Sequence, residues 1–383
     1  MKNASILISG ASIAGPALAH WLIRHGHAVT VVEKAPALRP GGQAVDFKGA
    51  THRTVLSRMG ILDDVRALQT GGTDQRIVDA AGRTLAVLPG EFTGGELEIR
   101  RGDLARLLYE RTAPACAYVF GDSITSLTET QDGVHVTFER AAPRTFDLVV
   151  GADGIHSNVR RLVFGPERDH VRFLGHYYAL VDLDRDFGSP KMYNEPGRMV
   201  AVGGPKAPAF FVFASGQLDY DRYDAAQQKD VLARVYAGMG WRVPEVMEAV
   251  ERSSGVYLDS LSQVGVDAYS RGRVVLLGDA AYGNTLAGFG TGLAVVGAYV
   301  LAGELAAAGG DHRRAFAAYE RQMRPYARIA RNGNAGPFLA PGTPSRIRMR
   351  NWMFKYRLLL TVMQKMTDKF ATGIDLKTYG ETY

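Results

Sequence analysis

Gly10, Ser12 and Gly15 have the spacing of the contact positions in a phosphate-cradling turn, within ILISGASIAGPALAHWLIRHGHAVTVVEK from Ile6 to Lys34. In such a turn the first glycine permits a tight strand-to-helix reversal, the second lets backbone approach a pyrophosphate, and the third lets helix and strand pack closely. Serine at the middle position narrows the approach without closing it, and its hydroxyl can donate to a phosphate oxygen. Ile13 and Ala14 begin the following helix, whose N-terminal amides favour an anion. Glu33 stands where an acidic group accepts from ribose hydroxyls, with Lys34 beside it. These residues point to a dinucleotide and leave FAD and NAD equally open.

The elements that must hold this turn are legible around it. Ile6 to Ser9 is a short apolar run, Ala14 to His25 has helical periodicity, and Ala28 to Val32 is β-branched, which together predict a βαβ unit. Strand-then-glycine punctuation returns in FDLVVGADG (Phe146 to Gly154) and GRVVLLGDAAYG (Gly272 to Gly283). A nucleotide-binding domain assembled from the start, middle and late part of the chain is therefore expected. Between these pieces FLGHYYALVDLD, GRMVAVGG and AFFVFASG, from Phe173 to Gly216, predict strands of a second, substrate-facing sheet. Near the C-terminus Trp352, Tyr356, Leu359, Met363, Met366 and Phe370 step by four and three along one face of a long amphipathic helix. It is expected to pack across two lobes.

Composition narrows the classes. A chain of 383 residues is long enough for a cofactor lobe and a second lobe. The net charge of +6 comes from dispersed residues, apart from Arg346, Arg348, Arg350, Lys355 and Arg357, so no dense face for nucleic acid is expected. Cys116 is the sole cysteine, which excludes an intrachain disulfide and a multi-thiolate zinc site and makes a cytoplasmic setting the default. The N-terminus shows no signal-peptide pattern, and no integral membrane association is expected. The nine histidines form no H-E-x-x-H, and GASIAG has the wrong spacing for a nucleophile elbow; neither a metal site nor a hydrolytic serine is expected.

Three separated glycine-acid turns suit a ligand longer than a nicotinamide dinucleotide, because FAD must be held at adenine, pyrophosphate, ribityl chain and ring. The combination of GASIAG with Glu33, RGDL with Arg101, GADGIHSNVR (Gly151 to Arg160) and GDAAYGNTLAGFGTG resembles the single-component FAD-dependent monooxygenases, across nearly the whole chain. That family contains para-hydroxybenzoate hydroxylase, aromatic polyketide hydroxylases and tetracycline-inactivating monooxygenases. The resemblance implies an α/β fold: a discontinuous Rossmann-type FAD-binding domain (1–72, 97–170 and 268–345), a sheet-based substrate domain (73–96 and 171–267), and a C-terminal bridging helix (346–383).

The resemblance also implies roles. Gly10, Ser12, Ile13 and Ala14 would wrap the FAD pyrophosphate, and Glu33 would hold the adenosine ribose. Arg101 would reach the phosphate or ribityl region, Asp279 would bond the ribityl or phosphate part, and the amides of Gly290, Thr291 and Gly292 would face the N1 and C2 carbonyl edge of the flavin. Asp153 would set the loop against FAD, with a part in the encounter with nicotinamide; shaping its own turn is the other role open to it. Arg101 also fits a solvated ion-pair face with Arg100, Asp103 and Arg106. Gln43 and Asp46, in RPGGQAVDFKG, would lie near the ring or form only a turn. Asp46, Arg198, Phe211, Phe213 and Phe289 are candidates for the substrate pocket, although alternating aromatics also build cores. Tyr282 and the sequence GNTLAG replace the histidine and prolines of many relatives.

The expected chemistry is reduction of FAD by NADPH or NADH and reaction with O2 to a flavin C4a-hydroperoxide. One oxygen atom then passes to a phenolic, polycyclic or polyketide-like small molecule, antibiotics included. A flavin oxidase or dehydrogenase on the same scaffold, and a non-catalytic flavoprotein that sequesters an unstable intermediate, are the alternatives.

Overall fold

A computed structural model describes residues 3–39, 42, 44–90, 97–204, 209–286, 288, 290–331, 333–355 and 375–380. Two sheets organise them. The first has six strands in the order Ser270–Arg271, Val274–Leu276, Leu148–Gly151, Ser5–Ser9, Ala28–Glu33 and Cys116–Phe120. All neighbours run parallel except the first pair, a hairpin. Its inner strands are continuous Val, Ile and Leu runs because both faces are covered, as parallel sheets require. Ser9 is level with both Gly151 and Val32. The glycine turns thus leave from one edge, the carboxyl ends of the strands, where open α/β sheets bind ligands.

Helices Ala14–Arg24 and Gly290–Ala307 pack on each other against this sheet. The second is apolar around its whole circumference, as a helix enclosed by protein must be. Its length and hydropathy would suffice to cross a membrane, but 78% of it is buried inside the protein.

The second sheet has seven strands: Val256–Val264, Val171–Val181, Ala209–Ala214, Arg198–Val202, Lys191–Glu195, Gln75–Val78 and Thr84–Leu88. Every neighbouring pair is antiparallel except Lys191–Glu195 with Gln75–Val78. One face packs on helices Ala225–Tyr236 and Val243–Arg252 through Tyr177, Val200, Phe211 and Phe213. The opposite face carries Tyr178, Met199, Ala201, Val212 and Leu261 against Leu286, Phe338 and Phe354. The chain is thus an α/β protein that leaves its parallel sheet twice to build a second one. Of the expected C-terminal helix, Pro344–Met353 is seen; Tyr356, Leu359, Met363, Met366 and Phe370 lie outside the described residues.

Candidate active site

At the first turn Gly10 takes φ +110°, and a Cβ there would lie 2.4 Å from the Ala152 carbonyl oxygen. A Cβ on Gly15 would lie 1.9 Å from the Gly10 carbonyl oxygen. Both outer glycines are therefore obligatory, for the reversal and for the close helix approach. The middle position carries a different solution. Arg101 Nη2 donates to Ser12 Oγ at 2.7 Å, so the hydroxyl oxygen is occupied as an acceptor and its proton is free to be offered elsewhere. No side chain caps the helix that begins at Ala14, which leaves its first-turn amides available to an anion.

Glu33 braces this turn from the neighbouring strand. Its Oε2 accepts from Ala11 N at 2.8 Å and its Oε1 from Ala35 N at 2.9 Å. A carboxylate has about four acceptor directions, so these two bonds leave room for a ribose hydroxyl. Lys34 turns away, its Nζ sitting 4.3 Å from the ring centre of Tyr223.

Asp279 shows the strongest mark of a ligand slot. Its side chain is exposed to water, yet desolvation by surrounding protein pushes its carboxyl pKa up, opposed by the nearby Arg101 guanidinium. Accessibility combined with desolvation describes an internal cleft. A Cβ on Gly290 would lie 3.3 Å from Asp279 Oδ1, so the N-terminus of the Gly290–Ala307 helix, with Thr291 and Gly292 in its first turn, opens beside the same carboxylate. The structure thus brings Ser12, Arg101, Asp279 and Gly290 together from three stretches of chain. The ion-pair face foreseen beside Arg101 exists separately, between Arg106 and Asp103 at 3.3 Å. Asp46 lies on strand Ala44–Phe47, opposite Glu98. Gln43 and Phe289 lie outside the described residues.

Asp153 is half-buried and faces inward. It accepts from Ser9 Oγ at 3.2 Å, Val159 N at 3.0 Å and Ser157 Oγ; burial raises its pKa and these bonds oppose the rise. The carboxylate ties the first turn to the second. Arg160, which the sequence reading left without a role, is fully buried and donates to the Ala280 carbonyl at 3.0 Å and the Ile155 carbonyl at 2.6 Å. It stitches the second turn to the third; its place at the end of GADGIHSNVR was the available signal. Tyr282 points into the core, with its hydroxyl 3.4 Å from that of Tyr319.

Three substrate-pocket candidates sit on the helical face of the seven-stranded sheet. Phe211 and Phe213 have no exposure and pack on the helical face of the seven-stranded sheet, against Tyr236 and Tyr177. Arg198 donates to the Val235 carbonyl at 3.0 Å and pairs with Glu195 at 2.8 Å. These residues share strand parity, but parity does not say which face meets the cofactor lobe. Tyr178, on the opposite face, feels the charges of both Arg101 and Asp279, while burial raises its pKa. A second group missed in the sequence joins the lobes: His156 Nδ1 lies 2.9 Å from Glu167 Oε1, and its Nε2 lies 3.0 Å from Asp259 Oδ1. Tyr257 donates to Asp259 Oδ2 at 2.8 Å.

The described residues fit FAD on their own geometry: a tight turn that only glycine permits at positions 10 and 15, an arginine and serine hydroxyl beside it, and an accessible desolvated carboxylate at a helix N-terminus. Comparison with known proteins agrees. Residues 3–332 match the FAD binding domain family. An uncharacterized protein of Mycobacterium tuberculosis (strain H37Rv) is 42% identical over 336 residues, 84% of this chain and 90% of that protein. A flavin-dependent monooxygenase of Legionella longbeachae is 36% identical over 338 residues, 85% of this chain and 86% of its own length. The crystal structure of the tetracycline destructase Tet(55) is 34% identical, with a TM-score of 0.82 over 98% of this chain and 100% of that one.

Proposed function

The chain belongs to the FAD binding domain family and is a flavin-dependent monooxygenase; from that premise we propose that it inserts one oxygen atom from O2, at the expense of NADPH or NADH, into a flat polycyclic, polyketide-like molecule such as a tetracycline antibiotic. The observation that carries the substrate class is the similarity, at 34% identity over essentially both whole chains, to a tetracycline destructase. FAD, when bound, supplies the electron transfer and the activation of oxygen, and the protein supplies position, charge and shelter from water.

In this reading the first-turn amides of the Ala14–Arg24 helix and the proton of the Ser12 hydroxyl hold the pyrophosphate. Arg101 orients that hydroxyl and neutralises phosphate charge. Glu33 keeps the turn in shape through Ala11 and Ala35 and accepts from the ribose. Asp279 accepts from the ribityl hydroxyls, and the Gly290 to Gly292 amides place the positive end of a helix beside the ring system. The substrate lies against the Tyr178 face of the second sheet, where an apolar wall with few polar groups suits a flat ligand.

The test is to purify the protein, measure bound FAD, and follow NADPH and NADH oxidation with tetracyclines and aromatic polyketides under labelled O2. One labelled oxygen atom in each product molecule is expected. Hydrogen peroxide in step with NAD(P)H consumption and unlabelled product would make the protein an oxidase, and flavin that NAD(P)H cannot reduce with any ligand present would make it a binding protein.

A further inference from the structure

His52 joins the segment that follows the Asp46 strand to the helix that opens beside Asp279. It lies in helix Gly49–Arg58, four residues beyond Lys48, which joins that helix to the strand Ala44–Phe47. Lys48, the N-cap residue, has no side-chain cap of its own. His52 supplies the reciprocal bond instead: its Nδ1 accepts from Lys48 N at 3.0 Å, much as the acidic residue of a capping box does. With Nδ1 an acceptor, the imidazole proton resides on Nε2. Burial holds the ring at about 4, so it is neutral at physiological pH and its surface is 3% exposed.

The far side of the ring meets the Gly290–Ala307 helix. A Cβ on Gly292 would lie 2.3 Å from His52 Cε1 and 2.4 Å from Nε2, so a glycine is required there by this imidazole. The same first turn approaches Asp279 through Gly290, and the strand on the other side of the ring carries Asp46. Phe47 meets the ring edge-on at 6.1 Å and fixes its tilt. A neutral spacer adds no charge of its own at the helix N-terminus, leaving that end's partial positive charge for the bound ligand.

We propose that His52 is a positioning residue for FAD: its ring, wedged between the Lys48 amide and Gly292, sets the separation of the Asp46 strand from the helix N-terminus beside Asp279. The proposal rests on FAD binding at this site and not on the substrate. Because a displacement of about 1 Å in a supporting wall weakens a preorganised site severely, His52→Ala is expected to raise the FAD dissociation constant about tenfold or more. The visible absorption bands of the remaining bound flavin should shift as its surroundings loosen.

The experiment is titration of apoprotein with FAD, followed by flavin fluorescence and absorption, alongside thermal melting of each apoprotein. His52→Asn keeps an acceptor for the Lys48 amide but removes the ring; apoprotein stability should recover while FAD affinity stays low. Gly292→Ala alone should weaken FAD because the methyl group meets the imidazole. The double variant His52→Ala/Gly292→Ala should bind FAD better than either single variant, since the methyl then occupies vacated space. Full FAD affinity in His52→Ala, its full recovery in His52→Asn, or strictly additive losses in the double variant would overturn the proposal. A wild-type protein that takes up no FAD would instead overturn the reading of the site itself.

Discussion

Replacing His156 with alanine should flatten the alkaline side of the protein's stability profile. The imidazole stands between two carboxylates, 2.9 Å from Glu167 and 3.0 Å from Asp259, and links the second glycine turn to the edge strand Val256–Val264 of the other sheet. Burial disfavours its charged form, but the two carboxylates outweigh that and hold the pKa at about 9, against 6.5 for a free histidine. That gap corresponds to about 3 kcal/mol at most. Glu167 is 36% exposed, so screening at that end reduces the expected contribution to about 2 kcal/mol. For a base whose pKa is raised by folding, the stabilisation is complete below 6.5 and fades as pH climbs through about 9. Asp259 and Glu167 behave in the opposite sense: burial pushes each up, His156 pulls each below its usual value, and their share is lost as pH falls through the folded values. Urea unfolding of wild type and His156→Ala from pH 6 to 10 tests this. Wild type should lose stability from pH 7 upward, and the variant should start about 2 kcal/mol lower and show little of that decline. Equal alkaline slopes in the two proteins would refute the reasoning.

Arg101→Met should remove both the bond to Ser12 and the charge facing Asp279, raising the FAD dissociation constant by about a hundredfold in a fluorescence titration, as for a lost charge-assisted contact of about 3 kcal/mol. Gly10→Ala forces a side chain into a backbone carbonyl at φ +110°; soluble yield and thermal melting should show a loss of several kcal/mol, on the order of the largest single-residue effects. Phe213→Ala should lower apoprotein stability by about 3–5 kcal/mol while leaving FAD affinity unchanged, because that ring packs on the helical face of the second sheet. A large change in FAD affinity with little loss of stability would return Phe213 to the site.

The sequence by itself determined what is local in this protein. Gly10 and Gly15 dictate a reversal that no side chain would permit, the β-branched run from Ala28 meets Glu33 at the strand end, and GRVVLLGD forecasts a strand ending in an acid at a turn. Such features depend on φ, ψ and side-chain period within a few residues, and they were enough to indicate an α/β dinucleotide-binding fold, while the resemblance of the combined motifs implied the flavin. The tertiary structure alone chose between equivalent local readings. Arg101 and Arg106 look alike in the sequence, yet one crosses 89 positions to Ser12 and the other pairs with Asp103 on the surface. Phe211 and Phe213 share parity on one strand, and only the packing of Tyr236 and Tyr177 against them turns that side away from the cofactor lobe. His156 meets Asp259 across 103 positions. A period of two fixes which residues share a face but not what that face touches, because a side chain's long-range partner depends on how separate segments bury their apolar surfaces together.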